Sequence, residues 1–158
     1  MKGGLWAAAV ACLLTGALFL AERRLDFSYD EEGFQWYGSV AVAHGFVPFR
    51  DFYSYDPGRY YWNGAWAQVL GEGVLALRLS TALFGACGLF LGLLAARRAV
   101  PHPGLLVPVG VVLLLFMVPR NKLFESALAM AAVYAAVLLL ERPSLRRHAG
   151  AGAVVGLA

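Results

Sequence analysis

Three stretches without a formal charge, residues 3–21, 79–96 and 99–119, constrain this chain more than anything else in it. They run for 19, 18 and 21 positions, and a fourth, 126–140, runs for 15. A helix needs roughly 17–25 apolar residues to cross a bilayer. Lipid offers no partner to an unpaired peptide group, so segments of this kind cross as helices. The chain therefore reads as an all-α polytopic membrane protein, with spans at about 4–21, 74–96, 103–119 and 124–140. Its 60% hydrophobic and 15% charged composition lies outside the range of ordinary soluble domains. The last run, 149–158, is apolar but too short to span. It is expected to open a further span, so that the chain is the front part of a longer protein.

Charge placement sets the expected orientation. With the N-terminus inside, Arg97, Arg98, Arg142, Arg146 and Arg147 fall in short cytoplasmic loops, against Arg120 and Lys122 outside. That bias favours a cytoplasmic N-terminus, although Arg23 and Arg24 pull the other way. The first run resembles a signal peptide with Lys2 as its basic end, but no small-x-small site precedes Glu22, which favours an uncleaved span. Cys12 and Cys87 lie in apolar runs and read as buried small hydrophobes. His44, His102 and His148 show no metal-ligand spacing, so no cofactor is indicated, with a divalent metal left open. No phosphate-cradling glycine loop, nucleophile elbow or nucleic-acid motif is present.

The polar residues collect in one place. Eight of the ten acidic residues fall between Glu22 and Glu72, and 14 of the 21 aromatics between Phe27 and Trp66. This long first loop, 22–73, carries two helix signatures. Ser28 and Glu31 form an S-x-x-E capping box, which predicts a helix beginning at Tyr29 and stopping at Gly45. Asp56 and Pro57 predict a second start, with Tyr61, Trp62, Ala65, Trp66 and Val69 on one side of the helix that follows. Two short amphipathic helices rich in Trp and Tyr suit the membrane surface.

Three acids stand side by side at 30–32. Carboxylates in a first helical turn meet unpaired N–H groups and the positive end of the dipole, which accounts for Glu31, partly for Asp30, and does not require three. The functional alternative is a carboxylate base held just above the membrane. Asp51 has a simple partner in Arg50 and Asp56 a simple role as N-cap, whereas Arg59 has the fork geometry that neutralises a phosphate. Arg78 adjoins an uncharged run and either snorkels outward or has a task within the membrane. Arg120, Lys122 and Glu125 sit at the outer mouth of the last two spans, where positive charge runs against the orientation rule.

The ordered set of Asp30–Glu31, Gly45 to Asp51 in the form G-x-x-P-F-x-D, Pro57–Gly58 with Tyr60–Tyr61, Gly71, and Ala76-x-Arg78-Leu79 resembles the N-terminal part of GT-C membrane glycosyltransferases. The likeness covers roughly residues 1–145 and is nearest the protein mannosyltransferase and aminoarabinose transferase type (family 39). It implies a GT-C-like helical bundle in a bacterial plasma membrane with the first loop outside. It also implies inverting transfer of a sugar from a polyprenyl-phosphate donor to a glycan, lipid or protein acceptor. On that likeness Asp30 is the base and Glu31 its support. Arg59, Arg78 and Lys122 are the phosphate contacts, with Tyr60 and Asp51 also at the substrate. Glu32 and Phe34 depart from the commoner D-E-G-x-Y form. Membrane lipid is the one other partner implied, and nucleic acid is not. The competing reading is a non-catalytic transporter or assembly subunit whose first loop binds a partner.

Overall fold

The computed structural model describes residues 2–100, 102–118 and 122–157, without the side chains of Lys2 and Leu157. Arg120 lies outside the described residues. Seven α-helices follow one another among those residues: α1 (Lys2–Glu22), α2 (Glu31–Ala43), α3 (Pro57–Leu70), α4 (Val74–Ala96), α5 (Leu106–Met117), α6 (Leu123–Glu141) and α7 (Leu145–Leu157). No β-strand occurs among the described residues, apart from a single isolated bridge between Pro48 and Phe52.

Three helices, Gly3–Glu22, Val74–Ala96 and Leu123–Glu141, are long and apolar enough to cross a membrane, which makes this an integral membrane protein. At 1.5 Å per residue, 19–23 residues reach roughly 29–35 Å, the thickness of a hydrocarbon core. The uncharged run 99–119 does not become a fourth helix of that length, contrary to the reading from its length alone. Its regular part is a 3₁₀ turn at Pro103–Leu105 followed by the 12 residues of α5, and Val118 is already extended. Proline explains the late start. Pro103 has no N–H to give to a preceding turn, and Pro108 fits because it falls in the first turn of α5.

The chain divides into two compact units, Leu18–Leu83 and Met1–Ala17 with Phe84–Ala158. In the second of these, small residues set the helix spacing. A Cβ on Gly88 of α4 would stand 2.3 Å from the Cβ and 2.5 Å from the Cα of Ala127 on α6. Gly85 faces Leu123 and Gly92 faces Met130, so one side of α4 lies almost backbone to backbone against α6. Phe84 and Phe124 close the seam with ring centroids 4.6 Å apart. Lipid tails are as apolar as leucine, so close packing rather than burial drives such contacts. Gly88→Ala is therefore expected to destabilise the protein by about 1–3 kcal/mol. Ala127→Gly in the same chain should recover part of the loss, because it removes one of the two clashing atoms; thermal unfolding in detergent is the measurement.

Cys12 and Cys87 are free thiols on the outside of their helices rather than buried. An apolar run in lipid has no inside to fill, so membership of a run does not predict burial. Leu5, Leu13 and Leu20 on α1 are exposed for the same reason.

The Leu18–Leu83 unit is built on α2 and α3. A Cβ at Gly38 would stand 2.5 Å from the Tyr60 ring, and one at Gly64 would stand 3.0 Å from the Ser39 carbonyl oxygen. The buried face of α3 is accordingly Arg59, Tyr60, Asn63, Gly64 and Ala67. Tyr61 and Val69, on the apolar side expected to lie at the membrane surface, face outward. Both helices are tied to the start of α4. Trp62 Nε1 donates to the Ser80 carbonyl at 2.8 Å, the Ser80 hydroxyl lies 2.6 Å from Asn63 Oδ1, and Gln35 Nε2 lies 3.5 Å from Thr81 Oγ1.

Candidate functional site

The start of α2 separates the three adjacent acids. The helix begins at Glu31, two residues later than the capping box implies. Asp30 occupies the N-cap position and makes no side-chain cap bond, while the Ser28 carbonyl accepts from Gly33 N–H at 2.9 Å. Backbone supplies the closure that the Ser28 hydroxyl was expected to give.

Glu32 turns inward. Its carboxylate is buried and accepts both arms of a fork from Arg78, Nε to Oε1 at 2.6 Å and Nη2 to Oε2 at 2.8 Å. The other donors of the same guanidinium reach the carbonyls of Glu22 (3.1 Å), Leu25 (3.0 Å) and Asp26 (3.3 Å). All five N–H groups of Arg78 are thereby engaged. One side chain closes the end of α1, holds the turn that follows, and anchors the first turn of α2. Arg78 does not snorkel: its side chain is 7% exposed and points into protein. A phosphate reaching it would have to displace Glu32 or a carbonyl. The residue that sequence reasoning missed is thus Glu32 as the partner of Arg78. One signal existed, because a charge bordering a membrane span needs a partner. Forty-six residues separate the two, so no local spacing identifies which of three acids serves.

Asp30 and Glu31 remain at the surface. Asp30 has helical backbone angles (φ −69°, ψ −62°), so Phe34, four residues on, lies on its side of the helix. The Phe34 ring stacks on Tyr55, centroids 6.0 Å apart and 7° from parallel, and meets Tyr60 edge-on at 6.2 Å. The Tyr55 ring in turn lies 5.0 Å below the Arg59 guanidinium, which is ion-paired to Asp56. A row from Asp30 through Phe34 and Tyr55 to Arg59 therefore runs across the starts of α2 and α3. Asp56 and Pro57 open α3 as expected, although Asp56 turns its carboxylate to Arg59 rather than to the helix N–H groups.

Tyr60 is 0% exposed, wedged edge-on between Phe34 and Phe52. Burial pushes its phenol up to about 12, and the hydroxyl has no hydrogen-bond partner among the described residues. Tyr60→Phe is expected to leave stability unchanged or raise it by up to about 1–3 kcal/mol, because a desolvated unpaired hydroxyl is removed. A lower unfolding midpoint in that variant would count against this placement.

Asp51 staples the loop between the two helices. Its Oδ2 accepts from Val47 N–H at 2.7 Å, and Arg50 donates Nε to Oδ1 at 2.9 Å and Nη2 to Oδ2 at 2.8 Å. These bonds hold a turn in which Phe49 adopts a positive φ of 68°, a conformation that favours glycine. The bond from Arg50 first, then that from Val47, holds the Asp51 carboxyl down at about 2, below its ordinary 3.8. A lowered folded value stabilises the turn above 3.8, and the contribution is lost as pH falls from there through about 2. Protection of the Val47 amide from exchange should therefore persist from neutral pH to about pH 4 and fall towards pH 2. Asp51→Ala, which removes the acceptor, should show little protection at any pH.

Lys122 belongs to the other unit, where it precedes α6 and pairs with Glu125 at 3.5 Å. Among the described residues no three His, Cys, Asp or Glu side chains are grouped to hold a metal ion. No protein-family model, curated protein or solved structure matches the chain.

Proposed function

We propose that this membrane protein is an inverting glycosyltransferase that takes a sugar from a polyprenyl-phosphate donor at the outer face of the membrane, with Asp30 as the base. The observation that supports this reading is the division of labour among the acids. Glu32 is consumed by Arg78, whereas Asp30 is exposed, uncapped and aligned with Phe34, Tyr55 and Arg59. A carboxylate at an N-cap that makes no cap bond is not needed to start its helix.

In the proposed step the acceptor hydroxyl attacks the anomeric carbon as Asp30 takes its proton. The bond from that carbon to the lipid phosphate oxygen breaks, and the phosphate departs with the electron pair. Charge growing on the phosphate is best met by fixed cations. Arg59 is the nearest cation on the row, and it meets a phosphate only when the half-exposed Tyr55 ring moves off it. Glu31 supports the base from the same turn of α2. Arg78 acts through Glu32 as a positioning residue.

The test is transfer of labelled sugar from a polyprenyl-phosphate donor by the protein in vesicles, wild type against Asp30→Asn. Undiminished transfer in the variant removes Asp30 from the chemistry. No transfer by wild-type protein with any such donor favours the non-catalytic reading, in which exposed Tyr29, Tyr53 and Phe49 bind a partner.

A further inference from the structure

At one end of the unit formed by Met1–Ala17 and Phe84–Ala158, arginines from several helix termini gather. Arg98, just past α4, forks onto Glu141 at the end of α6 and lies 5.1 Å above the Tyr134 ring. The Arg97 guanidinium stands against the first turn of α1, 2.0 Å from where a Cβ on Gly3 would be. Arg147 donates to the carbonyls of Leu138 and Arg142, and both Arg147 and Arg142 lie within electrostatic reach of Glu141. Arg146 sits in the first turn of α7, where the helix dipole opposes a cation.

Three of these arginines, Arg98, Arg142 and Arg147, lie within electrostatic reach of Glu141, and Arg98 already occupies it. Arg97, Arg142 and Arg146 are exposed and make no ion pair among the described residues. The protein groups described here leave this end with surplus positive charge. The start of α1 and the ends of α4 and α6 are termini of the three helices long enough to span, so these arginines stand where helices leave the hydrocarbon. Leu5, Leu140 and Leu145 beside them are 72%, 86% and 87% exposed. A cationic ring at headgroup depth with apolar flanks matches a molecule that is anionic at one end and greasy at the other.

We propose that this end of the bundle binds the headgroup of an anionic phospholipid through Arg97, Arg142 and Arg146, with its acyl chains against the flanking leucines. The inference is independent of any glycosyltransferase activity. The test titrates phosphatidylglycerol, or phosphatidylcholine of the same chains, into the detergent-solubilised protein, with bound lipid read by native mass spectrometry. Phosphatidylglycerol should bind roughly 100-fold more tightly, given the attraction each near-surface arginine supplies. The variant Arg97→Gln/Arg142→Gln/Arg146→Gln should lose most of that preference. Equal binding of the two lipids, an unchanged preference in the variant, or displacement by equimolar inorganic phosphate would overturn the proposal. Should the variant fail to fold, the wild-type protein still decides: the preference must collapse between about 0.1 and 1 M salt, and its persistence refutes the proposal.

Discussion

Arg78→Ala is expected to destabilise the protein by roughly 3–5 kcal/mol, because it strands the buried Glu32 carboxylate without its cation. The same change removes the donors that serve the carbonyls of Glu22, Leu25 and Asp26. Arg78→Lys should not rescue, since an ammonium is a compact charge with three donors and cannot span a fork and three carbonyls together. Glu32→Gln keeps the shape and one acceptor oxygen, so a smaller loss is expected. A double variant, Glu32→Leu with Arg78→Met, removes both charges and tests the pair separately from the carbonyls. It should recover stability relative to Arg78→Ala, as apolar replacement of buried pairs generally does. Recovery should be incomplete, because three carbonyl oxygens still lack a donor. Trp36 and Trp62 belong to the same unit and give fluorescence probes of its unfolding in detergent. An unchanged midpoint in Arg78→Ala would show that the fork does not hold the starts of α2 and α4 together.

Asp30→Asn should leave that midpoint where it is and lower sugar transfer by roughly 10²–10⁴-fold. The asparagine keeps the size of the side chain and the N-cap preference, so only the proton acceptor is lost. Glu32→Gln should do the reverse, lowering stability first and activity only as the fold loosens. This crossed outcome separates adjacent acids that composition treats alike. Should both variants lose activity in proportion to stability, Asp30 is a structural residue and the assignment fails.

Much of this was legible in the sequence. The uncharged runs determined that the chain is helical and crosses a membrane, because length and lipid solvation leave no other form for 3–21, 79–96 and 126–140. Gly45 ends α2 at φ 89° and Pro57 opens α3, local chemistry that sequence states directly. The reading of 99–119 as a span weighs its length and not its prolines. The run 99–119 has the composition of a span, but its prolines permit regular α-helix only from Leu106. Which face of α3 packs was not legible: close approach at Gly38 and Gly64 turns its small and polar face inward and leaves Tyr61 and Val69 outside.

The acids at 30–32 show the division most plainly. Sequence alone determined that a helix starts there and that negative charge is concentrated at its beginning. Only tertiary structure decided which acid is which, because the deciding cation, Arg78, arrives from a helix 46 residues later. A buried charge must be matched in three dimensions. Glu32 is the acid that α2 turns toward α4, and Asp30 is left facing water.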